Sequence, residues 1–168
     1  MLRKIDPKAL NDNVFSLIGD DWMLITAGSR ECCNTMTASW GGLGVLWGEP
    51  SATVYIRPQR YTKEFVDREE WFTLSVFGPE YRKELALCGS KSGRDMDKVK
   101  QCGFTVAADE TGAPYFEQAR LVLVCRKRYA QAMDPDAMPE EVKEKWYPMR
   151  DYHTMYIGQI VAAYTEEE

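Results

Sequence analysis

The chain has a single histidine, His153, among its 168 residues, and its five cysteines include no Cys-x-x-Cys pair. Zinc sites are usually built from four cysteine or histidine ligands that recur at short spacings. That mixed set of ligands cannot be assembled here, so we expect no metal site. The number of cysteines is odd and Cys32 and Cys33 are adjacent, which suits no ordinary disulfide framework and predicts reduced thiols.

The common nucleotide-binding motifs are also missing. The sequence contains no Gly-x-x-x-x-Gly-Lys-Ser/Thr loop and no Gly-x-Gly-x-x-Gly after a predicted strand. Gly41, Gly42 and Gly44 have neither the spacing nor the setting of these loops. A P-loop or Rossmann domain is therefore disfavoured.

Long apolar runs and excess positive charge are absent as well. No segment approaches the roughly 20 apolar residues that span a bilayer, and residues 1–7 lack the apolar part of a secretory signal. The 21 basic and 26 acidic residues give a net charge of −5, which argues against a nucleic-acid binder. We therefore expect a cytoplasmic protein with no membrane or nucleic-acid partner, folded as a single domain over residues 1–168.

What the sequence does contain is a series of strand patterns separated by short helical ones. Strands are predicted at 22–27, 35–39, 52–57, 71–77, 121–125 and 152–164, the last with a bend at Gly158. Helices are predicted at 6–18, 62–68, 79–88, 95–101 and 139–146, and a loop at 41–50. Segment 71–77 alternates between an apolar and a polar face, whereas 121–125 is apolar on both faces and so should be central. This order predicts a mainly β, mostly antiparallel barrel with helical insertions.

The most informative segment is 34–42, which combines hydroxyls, an amide and an indole before it reaches two glycines. Its short side chains can form hydrogen bonds while leaving the backbone accessible to a flat polar ring. A strand that served only a core would more usually carry Val, Ile or Phe. The alternative is an ordinary strand that runs into a glycine-rich loop, and this segment by itself is compatible with both.

Two positively charged segments run against the acidic composition. Residues 57–63 lie where a predicted strand ends and a helix begins, and residues 89–98 are rich in hydroxyls and again precede a helix. Helix N-termini favour anions, and arginines bind phosphates through paired hydrogen bonds. Each segment alone is compatible with a solvated loop, but together they favour a phosphate-bearing ligand. Thr62 is expected to cap its helix and to add a hydroxyl.

With these segments in order, the chain resembles the FMN-binding split barrels of the flavin reductase-like family, most closely its flavoredoxin-type branch. The resemblance extends over about residues 22–164 and rests on segments 34–41, 57–62, 92–98 and 153–160. It implies an antiparallel Greek-key split barrel with short helical insertions. It also implies a homodimer that binds one FMN per subunit at the dimer interface.

The resemblance assigns roles to individual residues, and none of them to a metal. The isoalloxazine ring would lie along Asn34, Thr35, Met36, Thr37, Ala38, Ser39 and Trp40. The ribityl chain and phosphate would approach Arg57, Arg60, Tyr61 and Thr62, under a loop that carries Ser92, Arg94 and Lys98. His153 would lie near the ring, where a nicotinamide stacks, as the candidate catalytic residue. By itself, a lone histidine at the start of a strand is more often structural.

The expected function is an FMN-dependent oxidoreductase of the NAD(P)H:FMN type. Electrons would pass from NAD(P)H or a ferredoxin-like donor through FMN to a flavin, a ferric complex or a protein acceptor. The chain offers no obvious nucleophile or acid–base pair, which suits chemistry carried by a cofactor. Two alternatives stay open: a flavoredoxin-like electron carrier with little NAD(P)H turnover, and a non-catalytic flavin-binding module. Exchange between the flavin and Cys32 or Cys33 is a further hypothesis.

Overall fold

The computed structural model describes residues 2–166, and over these residues it is dominated by antiparallel strands. The strands are β1 (Leu2–Ile5), β2 (Met23–Gly28), β3 (Cys33–Ala38), β4 (Gly42–Leu46), β5 (Glu49–Ile56), β6 (Trp71–Val76), β7 (Val106–Ala108), β8 (Pro114–Phe116), β9 (Leu121–Ala132) and β10 (Thr154–Glu166). The helices are α1 (Val14–Gly19), α2 (Tyr61–Arg68), α3 (Arg82–Ser90), α4 (Lys98–Cys102) and α5 (Glu140–Trp146). Short 3-10 helices cover Pro7–Ala9, Pro79–Tyr81 and Pro135–Ala137.

The main sheet has the order β3-β2-β6-β9-β10-β5-β4, and β1 pairs with β10. The pairings in this sheet are antiparallel, and β7 and β8 form a separate hairpin. The prediction of a mainly β, antiparallel protein is therefore confirmed. The apolar segment 121–125 begins β9, which pairs with β6 on one side and β10 on the other, so its predicted central position is confirmed as well.

Buried side chains form two cores on opposite faces of the sheet. Neighbouring residues of one strand alternate between them: Ile25 belongs to one core and Leu24 to the other, as do Leu123 and Val122. Thr73 and Ser75, on the predicted polar face of β6, are fully buried. The β7–β8 hairpin covers part of this face of β6, since the Thr73 hydroxyl donates to the Pro114 carbonyl at 2.6 Å.

Gly158 allows β10 to pass close to its neighbours at the predicted bend. The pairing of β10 with β9 shifts register between Ile157 and Gly158. A Cβ atom at position 158 would lie 2.6 Å from Cζ of Phe72 and 2.8 Å from Cβ of Cys125. Only glycine fits this approach without displacing the core.

The predicted loop at 41–50 is wrong, because this segment forms β4 and the start of β5. The two strands are joined by Trp47 and Gly48, with φ values of 52° and 76°. Two positive φ values in a two-residue hairpin turn match the right-handed twist of the strands. Asn-Gly or Asp-Gly usually marks such a turn. Trp47-Gly48 is not a usual turn sequence, so the hairpin was not predicted. Strands β1, β7 and β8 were missed as well.

Several helix boundaries also differ from the prediction. The predicted helix at 6–18 is divided into the 3-10 helix Pro7–Ala9 and helix α1, whose N-cap Asn13 accepts a hydrogen bond from the Phe15 N–H. Thr62 is not an N-cap: Arg60 occupies that position, and Thr62 is buried within the first turn of α2. Within residues 2–166, no helix has the length and apolar character needed to cross a membrane.

Candidate functional site

The end of β3, strand β5 and the residue that precedes β10 enclose a cavity of about 180 Å³, here called the His153 cavity. It is lined by Met36, Thr37, Ala38, Ser39, Trp40, Tyr55, Arg57, Arg60 and His153. Eight of these nine residues were predicted as site residues, although they come from three separate segments of the chain. Tyr55 was missed, and its position two residues before Arg57 in the predicted strand 52–57 was the available signal.

A second cavity of about 570 Å³, here called the Lys98 cavity, is lined by three other predicted residues, Asn34, Tyr61 and Lys98. Cys32, Cys33 and Gly93 also line it. Ser92 and Arg94 line neither of the two cavities. Because the predicted residues are divided in this way, they do not all surround one space within this chain.

Asn34 and Thr62 connect the predicted segments to each other. The Asn34 side-chain amide donates to the Thr62 hydroxyl at 2.7 Å, in a buried contact between β3 and α2. Gly93 packs against the same amide, and a Cβ atom there would lie 1.9 Å from Oδ1 of Asn34. Thr35 points into the core instead, where its hydroxyl bonds with that of Thr26 at 2.9 Å. Thr35 is fully buried and lines neither cavity, so its hydroxyl is not available to a ligand.

Arg60 and Lys98 converge on the C-terminal end of α3. The Arg60 guanidinium donates to the carbonyls of Gly89 (2.7 Å) and Cys88 (3.1 Å). The Lys98 ammonium donates to the same Cys88 carbonyl at 3.1 Å, and also to that of Lys91. Helix C-termini carry partial negative charge and attract cations. Two cationic side chains are thus held against a single carbonyl oxygen.

Lys98 is buried and Arg60 is half-buried, and neither has a negatively charged side chain among residues 2–166 to balance it. Lys98 is only 3% exposed, and within residues 2–166 neither it nor Arg60 forms an ion pair. Burial, followed by the charge of Arg60, lowers the pKa of Lys98 to about 8. Burial also lowers the pKa of Arg60. A bound anion would offset this cost, since unpaired buried charge is unfavourable.

Arg57 lines the His153 cavity and also holds the chain segment that follows α5. Its guanidinium forms an ion pair with Asp151 at 3.0 Å, donates to the Trp146 carbonyl at 3.0 Å and lies 5.0 Å from the centre of the Tyr147 ring. Arg57 is therefore already engaged by protein groups. Its main contribution in this structure is to fix residues 146–151 beside the cavity.

Arg94 and Ser92 hold the 89–98 loop against α2. The Arg94 guanidinium pairs with Glu64, donates to the Gln59 carbonyl at 3.1 Å and lies 4.7 Å from the centre of the Tyr61 ring. The Ser92 hydroxyl accepts a hydrogen bond from the Arg94 N–H at 3.1 Å. Both residues thus shape the loop that carries Gly93 towards Asn34.

His153 is 6% exposed, and its ring contributes to the wall of the cavity. Nδ1 lies 2.6 Å from the Tyr147 hydroxyl, and the ring centre lies 5.3 Å from that of Trp40. Burial, with a further contribution from Arg57, lowers the pKa of His153 to about 4. The imidazole is therefore neutral at pH 7, which makes it a hydrogen-bonding group and not an acid.

Two thiols near the cavities, Cys33 and Cys88, are poorly suited to nucleophilic chemistry. Burial raises the pKa of Cys33 to about 11 and that of Cys88 to about 12. The reactive species is the thiolate, which is scarce at neutral pH when the pKa is this high. Sequence reasoning did not reveal that the sulfur atoms of Cys88 and Cys102 lie 3.7 Å apart.

The fold and the cavities define a class of protein: an antiparallel β protein with two cavities, each bordered by a cation that forms no ion pair among residues 2–166. A comparison of the chain with models of known protein families identifies its family. The chain belongs to the family described as flavin reductase like domain, whose model matches residues 16–168. The resemblance inferred from the sequence is thereby confirmed.

Solved structures of related proteins share the fold. A flavoredoxin from Methanosarcina acetivorans is 24% identical, with a TM-score of 0.71 over 97% of this chain and 77% of that one. An FMN-binding protein from Thermus thermophilus, solved with p-hydroxybenzaldehyde, is 20% identical, with a TM-score of 0.71 over 98% and 82%. An NADH:FAD oxidoreductase from Streptomyces globisporus, in complex with NAD and FAD fragments, is 17% identical, with a TM-score of 0.65 over 87% and 74%. These likenesses confirm the predicted split-barrel fold.

Proposed function

We propose that this protein is an FMN-dependent oxidoreductase that takes electrons from NAD(P)H or a ferredoxin-like donor. The acceptor would be a flavin, a ferric complex or a protein. The observation that carries the proposal is the pair of cations at the Cys88 carbonyl, the half-buried Arg60 and the buried Lys98. Neither has a carboxylate partner among residues 2–166. The phosphate of FMN brings roughly −1.5 to −2 charges, which such a pair can neutralise. Family membership supports the same assignment.

The residues of the His153 cavity suit the other parts of FMN. Arg60 lines this cavity and would bind the phosphate, while Lys98 would support it electrostatically from the neighbouring cavity. The end of β3, from Met36 to Trp40, would face the ring. When bound, FMN would supply the redox chemistry, since it accepts and releases one or two electrons. The protein would position the ring and limit access to it.

The remaining predicted residues would act indirectly. Thr35 and Thr62 are buried and their hydroxyls have protein partners, so they would act by supporting their neighbours, Thr62 through Asn34. Tyr61, Ser92 and Arg94 would hold the loop that closes over the site. His153 would meet the ring or an incoming nicotinamide as a neutral hydrogen-bonding group.

The second candidate function is that of an electron carrier with little NAD(P)H turnover. It is favoured by the likeness to a flavoredoxin and by the net charge of −5, which suits a basic protein partner. The reductase is favoured by the likeness to the NADH:FAD oxidoreductase. A flavin-binding module without redox function is the third candidate.

The test begins with the absorption spectrum of freshly purified protein, which is expected to contain the bands of bound flavin. Anaerobic titration with NADH and NADPH should then bleach these bands, and steady-state NAD(P)H oxidation should follow with free FMN as acceptor. Bound flavin that only a reduced ferredoxin-type protein bleaches would favour the electron carrier. If only dithionite reduces the bound flavin, the result would favour the flavin-binding module without redox function. Protein that binds no FMN at all would overturn the proposal.

We further propose that the protein is a homodimer, in which a second copy covers an apolar surface near β4. Phe15, Val45 and Trp47 are 88%, 74% and 64% exposed, which is unusual for such large apolar side chains. Val45 also borders a mainly apolar groove of about 230 Å³ that includes Leu10, Val14, Leu43 and Ile160. β4 is an edge strand of the sheet, so it is free to meet a partner.

Replacing Val45 with aspartate is expected to shift the protein from dimer to monomer, because a charge would be buried in the interface. Light scattering coupled to size-exclusion chromatography measures the mass directly. Lys83→Asp, an exposed substitution on α3, is the matched control and should leave the dimer intact. A wild-type mass of one chain at micromolar concentration would contradict the proposed dimer.

A further inference from the structure

His153 has two ring nitrogens in different environments. Nδ1 lies 2.6 Å from the hydroxyl of Tyr147, in a buried contact. Nε2 has no hydrogen-bond partner among residues 2–166, and it is not one of the fully buried atoms without a partner. The ring lines the His153 cavity, so Nε2 is the nitrogen that remains for a ligand. A neutral imidazole carries one proton, and the bond at one nitrogen determines which nitrogen holds it.

The contact with Tyr147 favours the proton on Nε2. Burial raises the pKa of the Tyr147 hydroxyl, so the phenol keeps its proton at neutral pH and can donate it. The alternative acceptor near this hydroxyl is Sδ of Met133, at 4.0 Å. A thioether at that distance is a far weaker acceptor than an imidazole nitrogen at 2.6 Å. The phenol therefore donates to Nδ1.

Tyr147 is itself fixed by its surroundings. It is the C-cap residue of α5, where its N–H donates to the Lys143 carbonyl at 2.9 Å. The Arg57 guanidinium lies 5.0 Å from the centre of its ring, and the ring of Tyr152 packs at 5.0 Å. Arg57 also pairs with Asp151, two residues before His153. These contacts hold the Tyr147 ring in one orientation, and the ion pair of Arg57 with Asp151 fixes the chain beside His153.

We propose that Tyr147 is a positioning residue that fixes His153 in the tautomer with its proton on Nε2, so that the cavity presents a hydrogen-bond donor to a carbonyl oxygen of a bound planar ring. This inference rests on the proposed function for the identity of that ring. Two groups share the required chemistry: a carbonyl of the isoalloxazine ring and the carboxamide of a nicotinamide. A ligand that presents its own hydrogen-bond donor to Nε2 would be disfavoured, because Nε2 would not be able to accept.

The tautomer is directly measurable because His153 is the only histidine in the chain. Protein that carries no histidine tag and is labelled with ¹⁵N-histidine gives only two ring nitrogen signals. At pH 7 the wild type is expected to have a protonated Nε2 and an unprotonated Nδ1. Tyr147→Phe should give a mixture of tautomers and raise the pKa of His153 by about one unit, because a donor to the neutral form is lost.

Tyr152→Phe is the matched control, since its ring also packs on Tyr147 while its hydroxyl makes no hydrogen bond among residues 2–166. This variant should retain the wild-type tautomer and pKa. Protonated Nδ1 in the wild type would overturn the proposal, and so would a tautomer that is unchanged in Tyr147→Phe. The wild-type spectrum decides the matter even if the variant folds poorly.

Ligand titrations identify the source of the carbonyl. Oxidised FMN is added first to protein freed of flavin by dialysis, and NAD⁺ or NADP⁺ is then added to the FMN complex. A change in the Nε2–H signal at the first step points to the flavin ring, and a change only at the second step points to the nicotinamide. No change in either FMN-bound sample would overturn the donor role. If FMN does not bind, the proposed function fails, whereas the tautomer measurement is unaffected.

Discussion

Replacing Arg60 with alanine is expected to lower the affinity of the protein for FMN about 100-fold. A hydrogen bond to a charged group contributes about 1.5–3 kcal/mol, and each 1.4 kcal/mol corresponds to a factor of ten in Kd. Arg60 lies at the wall of the His153 cavity and has no carboxylate partner among residues 2–166. Its loss would leave Lys98, which is nearly fully buried, as the remaining cation of the pair.

The experiment compares FMN with riboflavin, which differs only in lacking the phosphate. Fluorescence titration of the wild type should show a strong preference for FMN, and Arg60→Ala should lose most of it. Binding of riboflavin itself should change little. If Arg60→Ala keeps the full preference for FMN, the phosphate binds elsewhere.

The control variants separate binding from folding. Arg68→Ala removes an exposed arginine at the other end of α2, whose partner is Glu69, and should bind FMN normally. Arg60 also donates to the carbonyls of Cys88 and Gly89, so its replacement leaves two acceptors at the end of α3 without this partner. Thermal unfolding of the flavin-free variants therefore accompanies the titration, and Arg60→Lys should recover part of the affinity.

Acidification from pH 6.5 to pH 4 is expected to cost up to about 3 kcal/mol of the free energy of unfolding through His153 alone. The pKa of this residue falls from an ordinary value of 6.5 to about 4 in the folded protein. Between these values the unfolded chain binds a proton that the folded protein does not, so acid favours unfolding. The stability contributed by neutral His153 is fully present above pH 6.5, decreases as the pH is lowered and is lost below pH 4.

Urea unfolding of the wild type and of His153→Asn, at several pH values between 4 and 7, measures this contribution. The difference between the two proteins isolates His153, because carboxyl groups such as Asp67 and Asp151, whose pKa values are also lowered, are common to both. The wild type should lose stability more steeply than the variant. Parallel curves would mean that the folded protein does not hold His153 neutral.

The same physical principle connects the two predictions. The protein buries charged or titratable groups next to its cavities, at a cost to the stability of the ligand-free form. Lys98 and Arg60 have lowered pKa values because burial disfavours their charge. An anionic ligand would restore that charge balance, and its binding would stabilise the folded protein in proportion to its concentration. Such groups are often found at functional sites.

Much of the fold was predictable because its signals are local. The alternation in 71–77 and the apolar run 121–125 identified β6 and the start of β9, and Gly158 correctly indicated the irregularity in β10. The hairpin of β4 and β5 was missed because its turn is Trp-Gly, which lacks the usual turn residues. The N-cap of α2 was misplaced because Thr62 has a buried hydrogen-bond partner on a distant strand.

The candidate site was predictable as a set of residues but not as an arrangement. Its segments carry distinctive residue types, so the strand end at 36–40, Arg57, Arg60 and His153 could be named in advance. Their partners could not, because no local pattern relates Arg57 to Trp146, or Arg60 to the Cys88 carbonyl. Tyr147 was missed for the same reason, because its role depends on its contact with His153. Tyr55 was missed although it lies two residues before Arg57.

The sequence by itself determined the fold class and the family, because side-chain periodicity and residue type act over a few neighbouring positions. Only the tertiary structure decided which cations remain unpaired, that Thr35 faces the core, and that the Tyr147 hydroxyl lies at Nδ1 of His153. Charge balance, burial and hydrogen-bond direction depend on distances between segments far apart along the chain, and those distances exist only once the strands have paired.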